Sequence, residues 1–387
     1  MIRNVSDAIK YIGADDPDLD LFESQYDVPD GMCYNSYVIL DEKIAVLDTI
    51  DDRKADEWFE NLAAVLNGRT PDYLVISHME PDHAASIAKA AAKYPSMQLI
   101  GNAKTFQMLP QFFDMDTEGR TITVKEGDTI ELGTHTLTFY MAPMVHWPEV
   151  MVTYEAAEKV LFSADGFGKF GVMDAEPDDW ACEARRYYFN ICGKYGAQVQ
   201  ALLKKAAKLD IQTICPLHGP ILTENLSYYI GLYDTWSKYE SETDGIFIAY
   251  ASIHGHTKEA ALRLYDILKS KTDLPIAISD LTRSDLHENV EDAFRYNRMI
   301  MLACSYDGDI FPPANDFLHH LKIKTYRNKK VALIENGSWA PSAGKVMRAY
   351  FEGMKNVEIC DVSVTIRSSL KESDIPQLEA LADAMLA

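Results

Sequence analysis

The second half of the chain alternates strictly between two kinds of segment. "IFIAYAS" is a short apolar run rich in β-branched and aromatic residues, and "TKEAALRLYDILKS" after it is an amphipathic helix. "LPIAISDL", "RMIMLACS", "KKVALIEN" and "VEICDVSV" repeat the first pattern. "DAFRYN", "ANDFLHHLKI", "AGKVMRAYFEGM" and "DIPQLEALADAML" repeat the second. Five short strands separated by helices leave little choice of fold. Strand–helix–strand units pair their strands in parallel, and right-handed crossovers place helices on both faces of the sheet. The expectation is an α/β, doubly wound parallel sheet over 241–387, whose ligands would bind outside the carboxyl ends of the strands.

The first half follows a different grammar. "YNSYVILDEKIAVLDTI" reads as two strands joined at "DEK", and "ADEWFENLAAVL" as an amphipathic helix. "PDYLVISH", "KVLFSAD" and "QTICPLHGP" are apolar strands that each end on an acid or a histidine. "AASIAKAAAKYP" is a helix, and "TITVKEGDTIELGTHTLTFYMAP" reads as a run of antiparallel strands. The pattern predicts an αββα sandwich over 1–240 whose strand ends deliver side chains to a common edge. The boundary is expected in the polar stretch "SKYESETDG".

Composition excludes several classes. The net charge of −22 would repel nucleic-acid phosphates. No run approaches the ~18 apolar residues of a membrane span, and the amino-terminal residues lack the order of a signal peptide. The reading is cytoplasmic, with no membrane and no nucleic-acid partner. None of the six cysteines forms a C-x-x-C pair, so rubredoxin-like sites, zinc ribbons and iron–sulfur clusters lack ligands; buried free thiols are expected. No G-x-G-x-x-G fingerprint supports direct nicotinamide binding.

The chemistry concentrates in "SHMEPDHAAS" and in the strand ends that follow it. His78, Glu80, Asp82, His83, His146, Asp165 and His218 are the metal-ligand types on offer. This set exceeds the needs of one tetrahedral zinc. It suits two ions about 3.5–4 Å apart, bridged by a carboxylate. Hard carboxylates beside imidazoles move the balance toward iron or manganese, and Glu80 in particular supplies anionic oxygen.

In "PDYLVISHMEPDHAAS", "VHWPEVM", "LFSADGFGKFG", "EARRYYFNI" and "PLHGPI" the chain resembles the flavodiiron proteins, a family of cytoplasmic oxygen and nitric oxide reductases. The resemblance covers essentially the whole chain. It implies a metallo-β-lactamase-like αββα domain followed by a flavodoxin-like domain. It also implies a non-haem diiron site in which His78, Glu80 and His146 hold one iron, Asp82, His83 and His218 the other, and Asp165 bridges. Trp147, beside His146, is expected to line the gas pocket as a catalytic residue. The stretch from Asp165 to His218 is shorter than the family leads one to expect, by roughly two helical turns' worth of residues. The shortening is placed around "VMDAEPDDWACEARR" and is expected to reshape the rim of the site.

Three loops at strand ends of the second half resemble the FMN loops of flavodoxins in order and place. The first offers Ser252, Ile253, His254, Gly255, His256 and Thr257 just before a helix, where backbone N–H groups and hydroxyls bind phosphate. The second offers Ser305, Tyr306, Asp307, Gly308 and Asp309. The third offers Asn336, Gly337, Ser338 and Trp339, whose indole is placed to cover a flavin ring. Cys304 stands where the family usually has proline, Asp307 where it often has asparagine, and His254 where an aromatic is common. Asp307 is expected to disfavour the anionic reduced flavin.

Electron counting joins the two sites. Two ferrous ions and a reduced flavin together hold the four electrons that take dioxygen to water; two nitric oxides need two to give nitrous oxide. The expected function is reduction of dioxygen, somewhat favoured, or of nitric oxide. The expected electron donor is another protein such as a rubredoxin, or a reduced deazaflavin. By resemblance the assembly is a head-to-tail homodimer or a dimer of dimers. The alternatives are a zinc hydrolase of metallo-β-lactamase fold with an accessory flavodoxin-like domain, and an electron-transfer module with a vestigial metal domain.

Overall fold

The computed structural model describes residues 1–175 and 180–387. Residues 176–179 lie outside the described set, and with them part of the segment expected to be shortened. The chain forms two compact units. One comprises Met1–Tyr188 and Ala197–Asp234, the other Phe189–Gly196 and Thr235–Ala387.

The first unit contains two stacked sheets. One runs in the order Arg3–Asn4, Ile9–Tyr11, Tyr37–Leu40, Ile44–Leu47, Tyr73–Val75, Gln98–Gly101, Thr121–Thr123. The other runs Thr129–Glu131, Thr136–Met141, Met151–Glu155, Val160–Phe162, Thr213–Cys215. Alternation decides what lies between them. Tyr37, Ile39, Ala45 and Leu47 of the first sheet share one buried cluster with Leu137, Phe139, Met151 and Phe162 of the second. Val38 and Val46 point the other way and are also buried, which is why these strands read as continuous apolar runs. The helix Ala55–Leu66 buries Ala55, Trp58, Leu62 and Leu66 at helical spacing and stops at Asn67, whose φ of 47° terminates it.

Two features depart from the sequence reading. "TITVKEGDTIELGTHTLTFYMAP" is not a single antiparallel run. Thr121–Thr123 pairs in parallel with Gln98–Gly101 at the edge of the first sheet, whereas Thr129–Glu131 opens the second. Ile122 and Ile130 pack against the same core from opposite sheets, so alternation alone does not reveal which sheet each belongs to. The crossing is made at Gly127, whose φ is 80°. The second feature is a small hairpin, Leu21–Phe22 against Tyr26–Asp27, turned through Glu23 and Ser24 at φ of 49° and 58°.

The second unit is a parallel sheet in the order Ile276–Asp280, Thr243–Ala251, Tyr296–Tyr306, Lys330–Asn336, Glu358–Ile366. Numbered along the chain that is 2-1-3-4-5, with the reversal beside the first strand, where such sheets bind ligands. A short strand, Asp309–Ile310, folds back antiparallel on the end of the third strand. The helix expected at "DAFRYN" is Leu286–Arg295. It starts early because the Asp285 carboxylate accepts from the His287 and Glu288 backbone N–H groups. No helix of the described residues is long and apolar enough to cross a membrane.

Candidate functional site

The strand Tyr73–Val75 ends in the loop that carries His78 and Glu80, and the single helical turn Pro81–Ala84 follows with Asp82 and His83. His146 lies just before Met151–Glu155. Asp165 follows Val160–Phe162, and His218 follows Thr213–Cys215. All seven therefore sit just beyond or before strand ends, and the structure brings them together as two groups. His78, Glu80, His146 and Asp165 form one, and Asp82, His83 and His218 the other. Within each group the potential ligand atoms lie within 4.8 Å of one another.

Asp165 spans the two. Its Oδ2 is 3.3 Å from His78 Nε2 and 3.1 Å from His146 Nε2, while its Oδ1 is 3.3 Å from His83 Nε2 and 3.9 Å from His218 Nε2. Glu80 Oε2 lies 3.2 Å from His78 Nε2 and 2.9 Å from His146 Nε2. Asp82 Oδ2 lies 3.2 Å from His83 Nε2 and 3.1 Å from His218 Nε2. The Nε2 atoms of His83 and His218 are 3.0 Å apart, and those of His78 and His146 3.3 Å. Nitrogens of neighbouring imidazoles converge in this way on a shared cation.

The electrostatics agree. Burial alone would raise the Asp165 carboxyl, but the His78, His146 and His83 rings hold it well below the usual carboxylate range. Glu80 is likewise held low, burial being outweighed by His146 and His78. Burial would lower the His146 pKa, yet Asp165 and Glu80 push it up to about 9; against the same burial, Asp165, Glu149 and Glu80 raise His78, and Asp82 and Asp165 raise His83. Both oxygens of Asp82 and both of Asp165 are buried and accept no hydrogen bond among the described residues. Concentrated anionic oxygen with orphaned lone pairs, faced by imidazole nitrogens, fits a pair of divalent metal ions, whose binding displaces the ring protons. Trp147 stands at the edge of the site, its ring 5.2 Å from that of His78 and 6.1 Å from that of His146.

The second unit carries a cleft of about 540 Å³ at the carboxyl ends of its strands, within the range of cofactor sites. Its walls include Ser252, Ile253, His254, His256 and Thr257 from the first loop. Ser305, Tyr306, Asp307 and Gly308 come from the second, and Asn336, Gly337, Ser338 and Trp339 from the third. Gly255 and Asp309 are not on the wall. Gly255, at φ 92°, is the N-cap of the helix His256–Lys271, and its N–H donates to Ser252 Oγ at 3.1 Å. Asp309 pairs with Tyr306 across a two-residue turn made by Asp307 and Gly308, at φ of 50° and 76°. Cys304, Ala340 and Ser368 also line the cleft. Among the described residues no lysine or arginine does, so an anionic group there meets backbone N–H groups and hydroxyls. The Trp339 side chain is 92 % exposed above it.

Residues 32–219 match the family model described as ODP family beta lactamase. The chain is 27 % identical over 394 residues to an anaerobic nitric oxide reductase flavorubredoxin from Aeromonas hydrophila, covering 99 % of this chain and 78 % of that one. It superposes on the rubredoxin oxygen:oxidoreductase of Desulfovibrio gigas with a TM-score of 0.91 at 24 % identity, covering 100 % and 98 % of the two chains. It superposes on the flavodiiron protein of Giardia intestinalis with a TM-score of 0.93 at 23 % identity, covering 100 % and 97 %. Over its whole length the chain is similar to flavodiiron proteins. Its first unit has the metallo-β-lactamase-like fold and its second the flavodoxin-like fold. The curated relatives differ in length: the chain spans 95 % of one and 48 % of another.

Residues that sequence reasoning passed over support this site from behind. Glu149 Oε1 accepts from His78 Nδ1 at 2.8 Å and from the Met79 N–H at 2.8 Å. The Cys33 carbonyl accepts from His218 Nδ1 at 2.7 Å. Asp48 accepts the N–H groups of Ser77 and His78 at 2.7 and 3.3 Å, its carboxyl pushed up to about 6 by burial. Phe22, from the amino-terminal hairpin, packs edge-on against His218 with ring centroids 5.4 Å apart. The signals were faint: Glu149 follows "HWP" by one residue, and Cys33 acts through its backbone.

Proposed function

We propose that the chain is a flavodiiron protein that reduces dioxygen to water, with nitric oxide reduced to nitrous oxide as the second reaction of the same site. The observation that carries the reading is the division of one carboxylate between two imidazole groups, Asp165 Oδ2 toward His78 and His146 and Oδ1 toward His83 and His218. His78, Glu80 and His146 would hold one iron, and Asp82, His83 and His218 the other. FMN would lie in the cleft, its phosphate at the start of the helix His256–Lys271 and its ring beside Tyr306 and Trp339. Held there, two ferrous ions and a reduced FMN would supply the four electrons that the reduction of dioxygen to water requires.

The chain's own residues bind, orient and exclude water. Asp165, Glu80 and Asp82 neutralise the metal charge. Glu149 and the Cys33 carbonyl fix which face of His78 and His218 is presented. Trp147 and Phe22 line the approach with apolar surface, which suits an uncharged diatomic gas. The metal-binding region is taken as 1–240 and the flavin-binding region as 241–387. A head-to-tail homodimer would set the flavin of one chain against the metals of its partner. A rubredoxin-type protein is the proposed donor, in keeping with the name of the Desulfovibrio neighbour.

Anaerobic reduction of the purified protein, followed by stopped-flow mixing with each gas, tests the reading. The flavin absorbance should return within the mixing experiment for dioxygen, with water as the product. Protein that retains zinc and no yellow chromophore after expression with ample iron and riboflavin would overturn it.

A further inference from the structure

The two halves of the metal site look alike in their donor atoms but differ in what stands behind them. In the first group, His78 Nδ1 donates to the Glu149 carboxylate at 2.8 Å, and both side chains are fully buried. Glu149 is fixed from three directions. Beside the His78 bond, its Oε1 accepts the Met79 N–H at 2.8 Å, and Asn102 Nδ2 donates to its backbone carbonyl at 2.5 Å. Oε2 is buried with no hydrogen-bond partner, so among the described residues His78 is the one side chain that hydrogen-bonds this carboxylate. In the second group, His218 Nδ1 donates to the Cys33 carbonyl, a neutral acceptor. His83 Nδ1 is buried and has no partner among the described residues. The shared carboxylate leans the same way: Asp165 lies 3.3 and 3.1 Å from the two rings of the first group, and 3.3 and 3.9 Å from those of the second.

An imidazole backed by a carboxylate is a stronger donor than one backed by a carbonyl, and loss of such a backing typically costs 10- to 100-fold in metal affinity. We propose that the two metal positions are unequal and that Glu149 makes them so. The His78–Glu80–His146 position binds its ion more tightly and fills first, and Glu149 is the positioning residue that sets the order. This rests on the reading of both groups as metal sites. Glu149 itself touches no metal; it acts through His78.

Manganese(II) is the probe. The full-length protein, freed of metal by chelation, is given one equivalent and then two. The electron paramagnetic resonance spectrum should show isolated ions at one equivalent and coupled pairs only with the second. Crystals grown at one equivalent should show the anomalous signal beside His78 and His146. In Glu149→Gln, the first binding step should weaken 10- to 100-fold and the second should move by less than about twofold, so that the steps merge. Coupled pairs in statistical proportion at one equivalent would overturn the proposal. So would a first ion beside His83 and His218, or a Glu149→Gln variant that weakens both steps equally or neither. If that variant does not fold, the one-equivalent spectrum and crystal of the unaltered protein decide. Two unequal manganese steps in a protein that never consumes gas would sink the proposed function and leave this inference standing. No manganese bound at either position would sink this inference.

Discussion

Asp41 Oδ2 accepts two hydrogen bonds from His135, one from the backbone N–H and one from ring Nδ1, each at 2.7 Å. Asp41 sits in the hairpin of the first sheet and His135 in that of the second, so the pair clasps the two layers at one end. A Cβ at Gly133, where φ is 137°, would stand 2.6 Å from Asp41 Oδ1; only glycine lets the hairpins close. Burial would raise the Asp41 carboxyl, but the His135 bonds bring it down to about 2. Burial would lower His135, but Asp41 and Glu158 raise it. The signs follow by linkage. The Asp41 contribution is present above the ordinary carboxylate range and is lost as pH falls toward about 2. The His135 contribution is present below the ordinary imidazole range and is lost as pH rises through its raised pKa. His135→Ala should therefore cost about 2 kcal/mol at pH 6 and less at pH 9. Urea denaturation at the two pH values checks it; an equal loss at both would refute the clasp.

Lys329 presents the reverse case. Its ammonium is buried, donating to the Phe294 carbonyl at 2.7 Å and to Ser241 Oγ at 2.5 Å, and burial brings its pKa down to about 7. The folded value lies below the unfolded one, so this group favours the folded state most above about 10.5. That advantage is lost as pH falls to about 7. The stability of the unaltered protein should rise between pH 7 and 10 relative to Lys329→Met. Denaturation midpoints of the two proteins across that range should converge or cross as pH increases. Parallel curves would show that Lys329 does not titrate there.

Much of this was legible because the chemistry sits where periodicity is strongest. His78, Asp165 and His218 each follow an apolar strand, and a strand end is the easiest boundary to read in a sequence. The 2-1-3-4-5 sheet was equally open, since five apolar runs with helical spacers admit few arrangements. What stayed hidden acts through the backbone or from short elements. Cys33 contributes a carbonyl, which no side-chain pattern reports. The hairpin Leu21–Asp27 has two-residue strands and turns through Glu23 and Ser24, not through an Asn-Gly pair, so it carries neither alternation nor a turn signal. Glu149 looks in sequence like any acid after proline. Only the fold aims it at His78.

Trp339 tests the cleft without disturbing the fold. At 92 % exposure it contributes little to the core, so Trp339→Ala should leave the melting temperature unchanged. Losing an aromatic contact of about 1 kcal/mol should weaken FMN roughly fivefold. Quenching of flavin fluorescence on titration into flavin-free protein measures it. A variant that binds FMN as tightly as the unaltered protein would place the ring away from this loop.

Asp307 lies on the wall of the same cleft, in the turn between Tyr306 and Asp309, and no lysine or arginine among the described lining residues offsets its charge. Reduction of FMN to its hydroquinone adds negative charge to the ring, and a nearby carboxylate opposes it. At about 4 Å and water-like screening the opposition is about 1 kcal/mol, or roughly 40 mV for one electron. Asp307→Asn should therefore raise the potential of the semiquinone–hydroquinone couple by some tens of mV, and should move the first couple less, because the neutral semiquinone adds no charge. A spectroelectrochemical titration of both proteins under anaerobic conditions reads the two couples separately. Equal shifts in both would point to a change in flavin seating; no shift in either would mean that the carboxylate faces solvent and leaves the flavin's potential to the rest of the cleft.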